Sequence, residues 1–448
     1  MINIRQSKFK HVFGKPSKKE ESYENINITK SNSDSTYLAV NSKYLAFISE
    51  VGGGGVFTVI PLSKTGKQEI NTGIVSGHTA PVTDLAWCPF DDSIIASASE
   101  DCTVKIWRIE DENGVINFEN LSTLAGHQRK VLHIKWHFLV ESALISCGAD
   151  NKLILWNLDK NEIHKSIDLT RPVSSMSINH SGTTLCIGSR ESHVGLLNMS
   201  EWTITKEVIC HESSKPVQVS FVDENHFITT GFSKQSDRQL SIWHKDDLAK
   251  PIKTIDIDTS NGALYPFYDD DTSILFLLAK GDTVVRYFEY DKTESEIHYL
   301  NRYDALEPQR GFNFLPKIGL NVRANEVMRL YKLTNKKMCE VVSFIVPRKS
   351  EMFQEDIFPD TIAPAPALSF EDWINGAEPK ITKYSMRENY DKGVTRREKK
   401  FQIGFSNRHS SFIHGHEIPN TNSKENWDPT KENSVRNLIS SLYECFTV

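Results

Sequence analysis

Gly77-His-Thr-Ala-Pro-Val-Thr-Asp-Leu-Ala-Trp-Cys-Pro-Phe90, followed by Ser97-Ala-Ser-Glu-Asp-Cys-Thr-Val-Lys-Ile-Trp107, decides the reading of this chain. The same grammar returns 49 residues later as Gly126-His127, Trp136-His-Phe138 and Ser146-Cys-Gly-Ala-Asp-Asn-Lys-Leu-Ile-Leu-Trp156. A weakened copy runs on down the sequence. An acidic residue stands six positions before a large apolar one at Asp101/Trp107, Asp150/Trp156, Glu191/Leu197, Asp237/Trp243 and Asp282/Phe288, and Asn325/Tyr331 keeps the spacing without the charge. The apolar positions follow at intervals of 49, 41, 46, 45 and 43 residues. An earlier unit, Tyr37 to Pro61, alternates like a strand pair around Gly52-Gly-Gly-Gly55.

Self-similarity at this period resembles the WD repeat, in which each unit is a four-stranded blade. Seven units fit residues 37–346, with six as the main competing count. The expected fold is therefore all-β: a seven-bladed WD-repeat β-propeller. In WD repeats a His, a Ser, an Asp and a Trp form a buried hydrogen-bonded chain that satisfies every polar member. Those roles fall to His78, Ser97, Asp101 and Trp107, and again to His127, Ser146, Asp150 and Trp156. With Trp in the set, the Ser/His/Asp combination is structural and not a nucleophilic triad. Single blades are marginal, so the ring must close. Val341–Val346 and Phe9–Phe13 both read as strands that help to close it.

Composition agrees with a globular body. The chain has 448 residues, 25% of them charged and 39% hydrophobic, and a net charge of −6, too mild for bulk nucleic-acid binding. The charge is uneven. Residues 1–19 carry +6, residues 380–448 carry +4, and the stretch between them −16. Basic ends on an acidic body suggest docking to an acidic partner. The seven cysteines are odd in number and include no CxxC pair, which points to a reducing compartment without disulfides or zinc. The start lacks the apolar core of a signal peptide, and no run reaches the ~18 apolar residues of a membrane span, so a cytosolic protein is expected. Gly52–Gly55 is not a phosphate loop, because no Gly-Lys-Ser/Thr follows. His409, His414 and His416 lack a fourth ligand at metal-binding spacing. No metal, cofactor or catalytic constellation is expected.

Several segments outside the repeat grammar narrow the family. They are Ser7-Lys-Phe-Lys-His-Val-Phe-Gly14, the glycine run through Pro61, Gly231-Phe-Ser-Lys234, Leu264-Tyr-Pro-Phe-Tyr-Asp269, Lys280-Gly-Asp282, Pro308-Gln-Arg-Gly311 and Leu315-Pro-Lys317. After the last unit comes Val346-Pro-Arg-Lys-Ser-Glu-Met-Phe-Gln-Glu-Asp-Ile-Phe-Pro-Asp-Thr361. Together they closely resemble the coronin family over about residues 5–380. The resemblance implies a propeller over 1–346 with an extension, 347–380, packed on it. It also implies binding to filamentous actin, with the actin-related nucleating complex and cofilin as further partners, regulation of filament organisation and turnover, a cytoplasmic and cortical location, and no catalysis. Lys30 falls where the family commonly has Arg in the segment after a Tyr-Glu-Asn-like stretch. The charge is kept, and the bidentate fork is lost. Arg5, Lys8, Lys10, Lys18 and Lys19 join it as candidate actin-binding residues. A WD scaffold without strong actin binding is the alternative.

The tail, residues 381–448, departs from that pattern and is expected to be mostly flexible. Residues 406–434 are rich in Ser, Thr and Asn, which reads as a flexible segment. Val435, Leu438, Leu442 and Cys445 give a short helix over 434–446, about two heptads where a coiled coil needs ~3–4. A homo-oligomer held by such a coil is accordingly unsupported. Arg396-Arg-Glu-Lys-Lys400 and the acidic surroundings of Trp427 read as linker.

Overall fold

A computed structural model describes residues 7–50, 54–69 and 72–392. Arg5, the tail segments at 396–400, 406–434 and 434–446 and the three tail histidines lie outside the described residues. Seven sheets arranged as blades make a β-propeller. Blade 1 is built from Leu38–Val40, Tyr44–Ile48, Val56–Pro61 and Ile74–Ser76. Blade 2 comprises Val82–Trp87, Ile94–Ser99, Thr103–Glu112 and Val115–Ala125, and blade 3 comprises Val131–Trp136, Ala143–Gly148, Lys152–Asn157 and Glu162–Asp168. Blades 4, 5 and 6 repeat this meander from Val173, Gln218 and Leu264. In each, the first strand lies innermost. We call the face where innermost strands begin the upper face and the face where they end the lower face.

Burial follows from position in the blade. A second strand is covered on both sides by neighbouring blades, so Ile274–Ala279 and Ile94–Ser99 are buried at every residue. An outer strand faces solvent, and no residue of Glu162–Asp168 is buried. The six-residue acid-to-apolar spacing also has a structural meaning. The register between third and fourth strands slips at Trp107, Trp156, Leu197 and Phe288, so each periodic residue marks a bulge. Blade 5 places its slip at Arg238/Gln239 instead.

Blade 7 corrects two details. Its own strands are Gln309–Phe314, Glu326–Thr334 and Met338–Ile345. Tyr331 therefore lies in a second strand, one strand earlier than the other periodic residues, and the Asn325/Tyr331 spacing is coincidental. The fourth strand comes from the N-terminus. Phe13–Pro16 runs antiparallel to Met338–Ile345, with Phe13 opposite Ile345 and Pro16 opposite Val342. Only Phe13 of the expected strand at 9–13 is extended. Residues 8–11 form a turn, and Phe9 and Val12 are buried against blades 6 and 7. Farther along, Tyr23–Glu24 pairs with the other end of Met338–Ile345 and, in parallel, with Gly66–Lys67.

The segment after Val346 packs on the lower face. Ile357, Phe358, Tyr384 and Met386 join the core of blades 6 and 7, while Phe370 and Trp373 join that of blades 3 and 4. Ser369 caps the helix Phe370–Ile374 by accepting from the Asp372 amide. The Trp373 ring lies 5.1 Å from His137. Residues 381–392, expected in the tail, are regular: Lys383–Tyr384 pairs with Thr361–Ile362, and the helix Arg387–Lys392 follows. Asn389 donates to the Ile318 carbonyl at 2.9 Å and so ties that helix to blade 7.

Truncation after 346 removes this layer and uncovers apolar surface on four blades. The expected result is a melting temperature lower by about 5 °C or more. Ile357→Ala alone should cost about 2–4 kcal/mol in urea unfolding. An unchanged melting temperature in the truncated chain would show that the layer is not structural.

Candidate functional site

Two polar systems decide what the faces of the ring can do. The first is internal. His78 Nε2 lies 2.7 Å from Ser97 Oγ, Trp107 Nε1 donates to the same oxygen at 2.8 Å, and His78 Nδ1 faces Asp101 at 2.8 Å. Blade 3 repeats the chain: His127 to Ser146 at 2.8 Å, Trp156 to Ser146 at 2.8 Å, and His127 to Asp150 at 3.1 Å. Gly77 precedes the His because a Cβ there would sit 2.9 Å from the Trp107 ring. Gly55, with φ +73, allows close approach to the His78 carbonyl, which a Cβ would meet at 2.2 Å.

Blade 5 carries a reduced version that the sequence pattern did not reveal. Thr229 takes the serine's place, 2.9 Å from His211 Nε2 and 3.0 Å from Trp243 Nε1, without an aspartate. The spaced acids of later units are used elsewhere. Glu191 pairs with Arg171, and Asp282 accepts from Arg238 at 2.7 Å. Arg238 is 1% exposed and also forks onto Asp258, joining blades 5 and 6 by charge.

Burial lowers the pKa of His78 and His127, and takes His137 and His211 down to about 4. Burial works to raise the Asp101 carboxyl, but hydrogen bonds from Thr103 and His78 outweigh it and bring it to about 2. No chemistry is poised here. Each group is locked to its neighbour, and this is a packing device.

The second system is on the upper face. After Tyr23–Glu24 the chain crosses that face as an irregular strap, residues 26–36, before entering blade 1. Its carbonyl oxygens are gripped in turn. Arg310 donates to those of Thr29 (2.6 Å) and Ser31 (3.2 Å), Lys280 to that of Ser33 (2.7 Å), and Tyr265 to that of Asp34 (2.9 Å). Arg190 reaches the Asp34 carboxylate at 3.3 Å. Lys280 also stands 3.7 Å over the Tyr37 ring, and burial lowers its pKa to about 7. Lys30 sits within this strap. Its amide is fixed to Glu50 at 2.7 Å, and its side chain is exposed.

The other candidate lysines are not gathered beside it. Phe13 pairs with Ile345 at the lower end of blade 7, so the turn that carries Lys8 and Lys10 lies toward the lower face. There Lys8 donates to the Asp356 carbonyl of the extension. Lys18 and Lys19 flank the outer edge, and Lys19 pairs with Glu24 at 3.3 Å. The basic N-terminus is thus a stripe climbing blade 7, and Lys8 and Lys10 do not share the face of Lys30. Sequence reading assigned no role to Arg310 and Lys280, although both stand in segments it singled out. The signal lay in their position at the start or turn of an inner strand, which only the topology supplies.

Comparisons with known proteins agree with this anatomy. A family model described as a domain of unknown function (DUF1899) matches residues 3–67, which hold the closing strand and the strap. The model for the WD domain, G-beta repeat, matches residues 69–108 and 118–157, the two units with complete hydrogen-bonded chains. A model for a type of WD40 repeat matches residues 339–381. Among solved structures, the crystal structure of the WD40 domain from Toxoplasma gondii coronin superposes with a TM-score of 0.80 at 29% identity, covering 84% of this chain and 97% of that one. The crystal structure of a mitotic checkpoint complex contains a chain that superposes with a TM-score of 0.57 at 13% identity, over 78% of this chain and 98% of that one. At that identity the likeness is one of fold.

The buried histidines set a pH prediction. Each binds its proton more weakly folded than unfolded, so their stabilisation is complete above about pH 6.5 and is lost as pH falls toward the folded values. Urea midpoints should drop between pH 7 and 4.5, equivalent to about 3–5 kcal/mol. A flat profile would mean that these rings are not buried in their neutral form. Separately, Ser97→Ala should cost about 2–4 kcal/mol by leaving the His78 and Trp107 nitrogens unpaired.

Proposed function

The chain being a coronin-type WD-repeat propeller, we propose that it binds the side of actin filaments through its upper face and regulates filament organisation, turnover and nucleation. The observation that supports this most is the strap. Four successive side-chain grips on its backbone carbonyls hold Lys30 in a fixed place with its ammonium in solvent. The backbone that carries the charge is ordered before binding, so no loop-ordering cost falls on the interface there. The actin-related nucleating complex and cofilin are the further partners that this reading brings, and cytoplasm and cell cortex the location. No catalytic role is proposed. Among the described residues no group of His, Cys, Asp or Glu is arranged to hold a metal.

A lysine contact of this kind is a point charge, so binding should be steeply salt-sensitive. Co-sedimentation with filamentous actin tests the placement. Lys30→Glu should weaken pelleting about tenfold or more at low salt. Lys10→Glu, which lies toward the lower face, should leave it nearly unchanged. Equal loss from both changes, or none from Lys30→Glu, would remove the upper face as the binding surface. Failure of the unaltered chain to pellet would favour the scaffold reading.

A further inference from the structure

The inner strands enclose a cavity of about 930 Å³ along the axis of the ring. Asp34, Ser35 and Thr36 of the strap line it at the upper end, and residues 361–365 of the extension line it at the lower end. His133 and Lys135 both line its wall from the strand Val131–Trp136, two residues apart and therefore on one face of that strand. Asp84 is the acid next to them, and its oxygens are already engaged. Ser35 donates to one at 2.7 Å, and the Ile134 amide donates to the other at 3.0 Å, with His133 Nδ1 at 3.8 Å. Among the described residues, Lys135 makes no hydrogen bond or ion pair.

Burial lowers the Lys135 pKa, and the nearby Asp84 carboxylate is the charge that works to raise it. An anion held beside this side chain would favour its charged form in the same way. The other acids on the wall are each engaged or uncharged. Burial raises the Asp270 carboxyl to about 8, so it is mostly uncharged at neutral pH. Arg190 pairs with Asp34, and Asp91 and Asp92, farther along the wall, accept from Ser93 and Ser42. The volume is of the size that takes a small metabolite.

We propose that the axial cavity is a binding site for a small oxyanion, a phosphate or carboxylate compound, with Lys135 as its counter-charge and His133 as a second polar contact. This site lies between strap and extension and does not depend on filament binding. A ligand there bridges the innermost strands and stabilises the closed ring by mass action.

The test uses the full chain with inorganic phosphate and succinate as probes, each matched in ionic strength by sodium chloride. Thermal unfolding should show a saturable rise of about 2 °C or more with at least one probe. The anion that acts at lower concentration identifies the phosphate or the carboxylate class. Lys135→Met should abolish the rise, and Lys234→Met, an exposed change on the upper face, should preserve it. The same rise in Lys135→Met, or none in the unaltered chain with either probe, overturns the proposal. Should Lys135→Met fail to fold, equilibrium dialysis of the unaltered chain decides: about one phosphate or succinate per chain supports the site, and none overturns it.

Discussion

A ring of β-sheets has no free edge only if its last blade borrows a strand from its beginning. Here the loan is Phe13–Pro16, laid against Met338–Ile345 across more than three hundred residues of sequence. Until that pairing forms, blade 7 has only its own three strands. The chain reinforces it twice. Phe9 and Val12, just before the strand, are buried between blades 6 and 7, and Tyr287 donates from blade 6 to the Val12 carbonyl at 3.0 Å. Tyr23–Glu24 then grips the same Met338–Ile345 strand nearer the upper face. One strand of blade 7 is thus clasped at both ends by the N-terminal arm.

The ring is held by two different chemistries, one within blades and one between them. Blades 2 and 3 use hydrogen-bonded chains through Ser97 and Ser146, in which Trp, Ser, His and Asp are paired with one another. Blades 5 and 6 use the Arg238 fork onto Asp258 and Asp282, with Arg286 adding to Asp258. The first kind packs a blade internally, whereas the second ties one blade to the next. That difference explains why the spaced aspartate at 282 looked like a repeat signature and turned out to serve a lateral clamp.

Blade number and the two complete hydrogen-bonded chains were legible in the sequence, because both depend on local spacing that a fourfold strand meander enforces. The resemblance of Pro347-Arg-Lys-Ser350 and the segments around it to coronins was legible for the same reason: these are contiguous residues. What was not legible depends on contacts between distant residues. The closing strand slipped from 9–13 to 13–16, since alternation alone does not reveal that Phe9 and Val12 enter a core built by residues near 276 and 344. Blade 7 looked periodic through Tyr331, but that residue falls in its second strand, and its fourth strand comes from the other end of the chain. A stripe of lysines in sequence became a stripe in space, not a patch, since the arm that carries them climbs from one face to the other.

The arm that closes the ring also builds the upper face. Its order along the chain is clasp, second clasp, then strap, so the strap crosses the upper face directly from the edge of blade 7. Lys280 and Arg310 come from the last two blades and grip Thr29, Ser31 and Ser33 immediately before blade 1 begins. Lys30 is therefore positioned by residues from both ends of the array and has a fixed place only in the closed ring. Ser35, five residues on, reaches down to Asp84 at the wall of the axial cavity. A single eleven-residue strap thus couples closure, the exposed charge above and the polar cavity below, which is why loosening its grips should be felt at both surfaces while the blades themselves stay folded.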